Sequence, residues 1–233
     1  MGNNCTSGQN TLLSYRVDIS FVMDATGSMQ PFLSTVKAKA LSLYPDITSR
    51  MNAKGKKITQ LRGRIIAYRD FLEDGNDAML VTDFFDLNTE AQEFSDCINS
   101  IEAKGGGDDL EDGLEAVAMA MASDWVKGRG KRRQIVAVWS DAGCHDIGYG
   151  KKAPNYPKGM PKNHDELFSW WGSNQTSGKY MDMSARRLLL FTPDTDWWSK
   201  LRKWSNTVWT PMNVGGFSES DYKTMIEKIV NSI

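Results

Sequence analysis

Three cysteines in 233 residues, Cys5, Cys97 and Cys144, are too few, too scattered and too odd in number to build a disulfide framework. They read as reduced thiols, and a chain of this length can bury a core without covalent staples. Long apolar runs are also lacking. Nothing approaches the ~20 residues needed to span a bilayer, and the N-terminus has no hydrophobic signal core. The expectation is therefore a cytoplasmic protein. Neither sign of charge dominates, with 28 Lys and Arg against 29 Asp and Glu, so there is no general pull toward nucleic acid or anionic lipid. The two histidines, His145 and His164, have no Ser or Cys nucleophile at a recognisable elbow. No GxxxxGK[ST] loop occurs, and no GxGxxG follows a strand, which argues against the common nucleotide-binding designs.

What is present begins with the leader. Met1-Gly2-Asn3-Asn4-Cys5-Thr6 fits the myristoylation pattern, with Cys5 placed for a second acyl anchor. Membrane contact is expected only if that acylation occurs; otherwise residues 1–14 are a polar, flexible leader. Residues 15–233 then read as one domain. Short apolar runs alternate with longer amphipathic ones, which predicts a doubly wound α/β fold with a mostly parallel central sheet between helices. Strands are expected at Val17 to Met23, Leu61 to Phe71, Met79 to Phe85, Gln134 to Ser140, Arg187 to Phe191 and Thr207 to Pro211. The Gly75-Asn76 turn suggests that the third strand pairs antiparallel to the second, at an edge. Helices are expected at Phe32 to Met51, interrupted near Pro45, and at Thr89 to Ala103, Leu110 to Trp125, Asp196 to Trp204 and Glu219 to Ile233. A polar stretch rich in Gly, Pro, Asn and Lys, at about 145–180, reads as an insertion carrying one short helix near His164 to Trp171.

The chemistry sits at strand ends. Asp24 follows the first strand immediately, and Asp141 follows the Gln134–Ser140 strand immediately. The loop Lys104-Gly105-Gly106-Gly107-Asp108-Asp109 lies just before a helix N-terminus. In open α/β sheets, ligand sites gather outside the carboxyl ends of parallel strands, so these three segments should meet in one crevice. Clustered carboxylates raise one another's pKa, and a hard divalent cation removes that penalty. Asp24-Ala25-Thr26-Gly27-Ser28 adds two hydroxyls on alternate residues. An all-oxygen donor set of this kind suits Mg²⁺, with Mn²⁺ or Ca²⁺ as alternatives, rather than Zn²⁺. The competing explanation is local: Thr26, Ser28 and the Asp108–Asp109 pair would all serve as helix caps.

DATGSM at Asp24 matches D-x-[ST]-x-S, and further motifs follow in order: Ala67-Tyr68-Arg69-Asp70, Gly105-Gly106-Gly107-Asp108 with Glu111-Asp112, Ser123-Asp124-Trp125, Asp141-Ala142-Gly143-Cys144-His145, and Tyr156-Pro157-Lys158-Gly159-Met160-Pro161. Together they resemble von Willebrand factor A (vWA) domains, in particular an intracellular branch that includes those joined to α-kinases and those of bacterial tellurite-resistance-like conflict systems. The resemblance implies a metal-ion-dependent adhesion site (MIDAS). Asp24, Thr26 and Ser28 would form its first segment and Asp141 its third, through water. The family's second segment normally offers a Thr. Here it has no hydroxyl, and Asp108 is the expected substitute, ahead of Asp109.

The resemblance further implies a regulatory or scaffolding module that binds another protein, with an acidic or phosphorylated group of that partner completing the ion's coordination. The insertion would shape specificity. The alternative is a Mg²⁺-dependent phosphoryl-transfer or hydrolytic enzyme. A haloacid-dehalogenase-type phosphatase would want DxDx[TV], and Thr26 occupies its second Asp position, so the expectation is a protein without catalytic residues. Cys144 and His145 lack the spacing of a soft-metal site and are expected to support the Asp141 loop. Trp170, Trp171, Trp197, Trp198 and Trp204 are expected mostly in the core. The basic run Lys127 to Arg133 should lie at the opposite end of its strand from Asp141.

Overall fold

Strand β1 (Leu13–Asp24) is buried along its whole second half because it has a parallel neighbour on each side, β2 (Lys56–Tyr68) and β6 (Lys131–Trp139). The structure, a computed structural model, describes residues 13–107, 109–212 and 217–233. Leu13 and Ser14 already pair with Lys56 and Lys57, so the strand starts earlier than its apolar run. The acylation motif and Cys5 lie outside the described residues.

Helices α1 (Gln30–Lys39) and α2 (Leu43–Ala53) follow β1. The break between them is a 3₁₀ turn at Ala40–Ser42, and not Pro45. Pro45 sits in the first turn of α2, where a backbone N–H would have no intrahelical acceptor in any case. Strand β2 begins five residues before its apolar run, since Lys56 to Gln60 alternate half-buried and exposed positions. On its far side run two short antiparallel pieces, β3 (Met79–Val81) and β4 (Phe85–Asp86), where one strand over Met79–Phe85 was expected. Helix α3 (Ala91–Ser100) leads to the glycine loop.

Leu110 and Glu111 are not the start of a helix. As β5 (Leu110–Glu111) they pair in parallel with β7 (Gly143–Cys144), and α4 (Gly113–Met121) begins only beyond them. Helix α4 ends at Met121, and Trp125 packs back on it, its indole N–H donating to the Met121 carbonyl at 2.9 Å. The insertion contains α5 (His164–Trp171), capped by Asn163, whose Oδ1 accepts from the Glu166 N–H at 2.9 Å. Strand β8 (Arg186–Thr192), helix α6 (Asp196–Leu201), strand β9 (Thr207–Pro211) and helix α7 (Glu219–Ser232) complete the chain.

The main sheet runs β3-β2-β1-β6-β8-β9, with β4 beside β3 on β2, and every pairing from β2 to β9 is parallel. Strand alternation splits the core in two. Ile19, Phe21, Met23, Ile135, Ala137 and Trp139 face α1, α2, α3 and α7, while Val22, Val136, Val138, Leu188 and Leu190 face α4, α5 and α6. Trp170, Trp171, Trp198 and Trp204 are buried in that second layer, with Trp197 partly buried against it. At the sheet's amino end, Lys131 and Arg133 lie with Lys56 over the Tyr15 ring, 5.4–5.6 Å from its centre. The basic run thus caps the end of the sheet away from Asp24 and Asp141. Among the described residues, no helix is long and apolar enough to cross a membrane.

Candidate metal centre

Parallel pairing of β1 with β6 brings their carboxyl ends side by side, Met23 opposite Trp139. The next residues on each strand, Asp24 and Ser140, therefore meet. Asp24 is fully buried. Its Oδ1 accepts from the Thr26 N–H at 2.9 Å and the Thr26 hydroxyl at 2.6 Å, and its Oδ2 accepts from the Ser140 hydroxyl at 2.8 Å. Thr26 Oγ1 lies 3.4 Å from Ser28 Oγ, and Ser28 donates to Asp141 Oδ1 at 2.9 Å. One continuous chain of oxygens runs from the buried end of β1 to the loop after β6.

Burial lifts the Asp24 carboxyl to about 6, against the pull of its hydrogen bonds from Thr26 and Ser140; the nearby Asp141 charge adds to the rise. The same burial raises the Tyr68 phenol, and the Asp24 charge adds to it. The negative charge at this edge is thus poorly compensated by the protein's own groups.

The second segment is held against the first by Arg69, which lies at the end of β2. Its guanidinium donates to the carbonyls of Ala25 (3.1 Å), Lys104 (2.8 Å) and Glu102 (2.6 Å), and also to that of Asp77. Lys104 N–H in turn donates to the Ala25 carbonyl at 3.0 Å. Arg69 is thus a backbone staple. The glycine loop then passes so close to Asp74 that a Cβ at Gly105, whose φ is +74°, would lie 1.8 Å from Asp74 Oδ1. Sequence reasoning missed Asp74, Ser140 and the stapling role of Arg69. Only Ser140, a polar residue closing an apolar run beside Asp141, left a local signal.

Asp24, Thr26, Ser28 and Asp141 are brought together as expected. Asp108 lies outside the described residues. Asp109 is exposed and lines the open cleft above Thr26, Ser28 and Asp141. Among the described residues, no three His, Cys, Asp or Glu side chains form a group able to hold an ion by themselves. The donor set depends on hydroxyls, and a run of hydroxyl and carboxylate oxygens without nitrogen or sulfur fits a hard divalent cation. Cys144 is buried beneath this loop, its thiol pushed up by desolvation. His145 Nε2 lies 3.0 Å from Asp70 Oδ2, both side chains buried, so the loop after Asp141 is tied to the end of β2.

A doubly wound, mostly parallel sheet with an oxygen-rich crevice at the carboxyl ends of two adjacent strands defines the class. Residues 18–129 match the family described as von Willebrand factor A domain. The curated relative Alpha-protein kinase vwkA of Dictyostelium discoideum is 27% identical over 145 residues, which cover 62% of this chain and 21% of that protein. The match thus spans about a fifth of that relative's length. Two solved structures share the fold. The pilus adhesin SpaC from Lactobacillus rhamnosus GG superposes with a TM-score of 0.53 at 11% identity, covering 93% of this chain and 30% of the adhesin. A von Willebrand factor type A protein from Catenulispora acidiphila gives 0.51 at 12% identity, covering 93% of this chain and 42% of its own.

Proposed function

We propose that this domain is a metal-ion-dependent protein-interaction module, acting as a regulatory or scaffolding component in the cytoplasm. The observation that carries the reading is the oxygen chain Asp24–Thr26–Ser28–Asp141 opening on a cleft at the β1–β6 edge. Thr26, Ser28 and Asp141 supply oxygens for a Mg²⁺ ion, with Asp24 behind the hydroxyls orienting them. Asp108 is the second segment's candidate. The bound ion supplies a positive charge on which a partner's carboxylate or phosphate completes the coordination. The chain's own part is to hold the oxygens in place through Arg69 and Ser140 and to present the cleft.

Calorimetric titration of the full chain with Mg²⁺ tests this. Saturable binding is expected in the wild type and none in Asp24→Ala or in Ser28→Ala/Asp141→Ala. Equal binding by wild type and variants would overturn the reading.

A further inference from the structure

Glu111 is a buried carboxylate at this edge that the donor chain does not include. It is 2% exposed. Pairing of β5 with β7 sets it opposite Cys144, three residues past Asp141, and its carbonyl accepts from the His145 N–H at 3.0 Å. The backbone position is therefore fixed by the third segment of the site. The side chain borders the same cleft as Thr26, Ser28 and Asp141.

Gly106 stands between Glu111 and the first segment. With φ at +84°, it presents no side chain to a space where a Cβ would lie 2.9 Å from Glu111 Oε1 and 3.2 Å from Thr26 Cγ2. A methyl here would crowd the Glu111 carboxylate and the Thr26 side chain. The charges of Glu111 and Asp24 reach the same groups, since after burial both add to the rise of the Tyr68 phenol and of the Cys144 thiol. The segment from Lys104 to Leu110 offers no hydroxyl.

We propose that Glu111 is a further, water-mediated partner of the divalent cation, facing it across the gap that Gly106 keeps open. The proposal rests on the metal reading above. Contact through water fits the separation of Glu111 from Thr26 by Gly106. Mg²⁺ suits such a role, since it keeps several of its waters when bound to protein. A carboxylate that orients those waters typically sets metal affinity by 10- to 100-fold.

The test is calorimetric titration of the full chain with Mg²⁺ alone, together with melting curves in chelator, for wild type, Glu111→Gln, Gly106→Ala and Asp24→Ala. Glu111→Gln is expected to bind Mg²⁺ about 10- to 100-fold more weakly while melting in chelator near the wild-type temperature. Gly106→Ala, whose methyl fills the gap, should weaken binding in the same direction. If Glu111→Gln fails to fold, Gly106→Ala decides: weaker binding supports the proposal and unchanged binding overturns it. Wild-type affinity in both variants, with binding lost in Asp24→Ala, would overturn the role of Glu111 and leave the metal site standing. No binding by the wild type would overturn both.

Discussion

Tyr156 donates its hydroxyl to Glu115 Oε1 at 2.9 Å, joining the insertion to the buried face of α4. The Gly148 N–H donates to the same oxygen at 2.7 Å, so two points of the insertion converge on one carboxyl. Glu115 is fully buried, and Tyr156 packs edge-on against Phe71, 5.2 Å between ring centres. Holding the insertion by a buried acid makes its docking sensitive to pH.

Burial lifts the Glu115 carboxyl from its ordinary 4.5 to about 7, and the charge of Asp112 adds to the rise. A carboxyl raised in the folded state binds its proton more tightly there than in the unfolded chain. Its stabilising effect is therefore complete below about pH 4.5 and is lost as pH rises through about 7. The ceiling is about 3 kcal/mol, from about 1.4 kcal/mol for each unit. Asp24, lifted to about 6, acts in the same direction at lower pH. Urea unfolding in chelator should show lower stability at pH 8 than at pH 5. Glu115→Gln keeps an acceptor for Tyr156 and Gly148 and should flatten the upper part of that slope. A variant as pH-dependent as wild type between pH 6 and 8 would refute the assignment.

Long apolar runs made β1, β6 and β8 legible, because in each case the signal is local. Where β2 begins was hidden, since Lys56 to Gln60 hold a single apolar residue, Ile58, among polar ones and are only half-buried or exposed. The β5–β7 pair was hidden for a different reason. Its hydrogen bonds join segments more than thirty residues apart, and Leu110-Glu111 alone looks like the opening of α4. Within the site, the strand-end acids and hydroxyls were visible as a pattern. The groups that hold them were not: Arg69 is defined by four carbonyls, three of them more than thirty residues away, and Asp70 by a histidine 75 positions later.

Arg69 should therefore be hard to replace. A planar guanidinium reaches carbonyls in several directions, and Lys cannot reproduce that fork. Arg69→Lys is expected to destabilise the domain by about 2–4 kcal/mol, because one buried and three part-buried carbonyls lose a donor. Thermal melting would register the loss. Hydrogen exchange should speed at the Lys104 amide, which is paired with Ala25. Slow exchange at that amide in Arg69→Lys would show that the loop is held by other means.

The buried pair of Asp70 and His145 makes an asymmetric prediction. Removing one partner of a buried polar pair leaves the other desolvated and typically costs about 1–3 kcal/mol. His145→Ala should thus be destabilising. Asp70 Oδ1 also accepts from the N–H groups of Leu72 and Glu73, so Asp70→Asn should cost less than Asp70→Ala. Chemical denaturation of the three variants gives the ranking, and equal losses for Asn and Ala would show that the turn contacts contribute nothing.

The glycine loop provides a test of packing without any ligand. Gly105 has φ at +74° and lies where a Cβ would meet Asp74 Oδ1 at 1.8 Å. Gly105→Ala therefore meets two separate obstacles: a left-handed backbone costing about 1 kcal/mol, and a clash with a side chain. Asp74 also accepts from the N–H groups of Asp70 and Gly106, at 3.2 and 3.3 Å, so it cannot swing away without releasing the loop. Asp74→Ala removes the clash but not the backbone strain. The double variant should consequently be more stable than the sum of the single losses predicts, by about 0.5–3 kcal/mol in a double-mutant cycle. Strict additivity would mean that Asp74 does not press on the loop, and that backbone conformation alone demands glycine at 105.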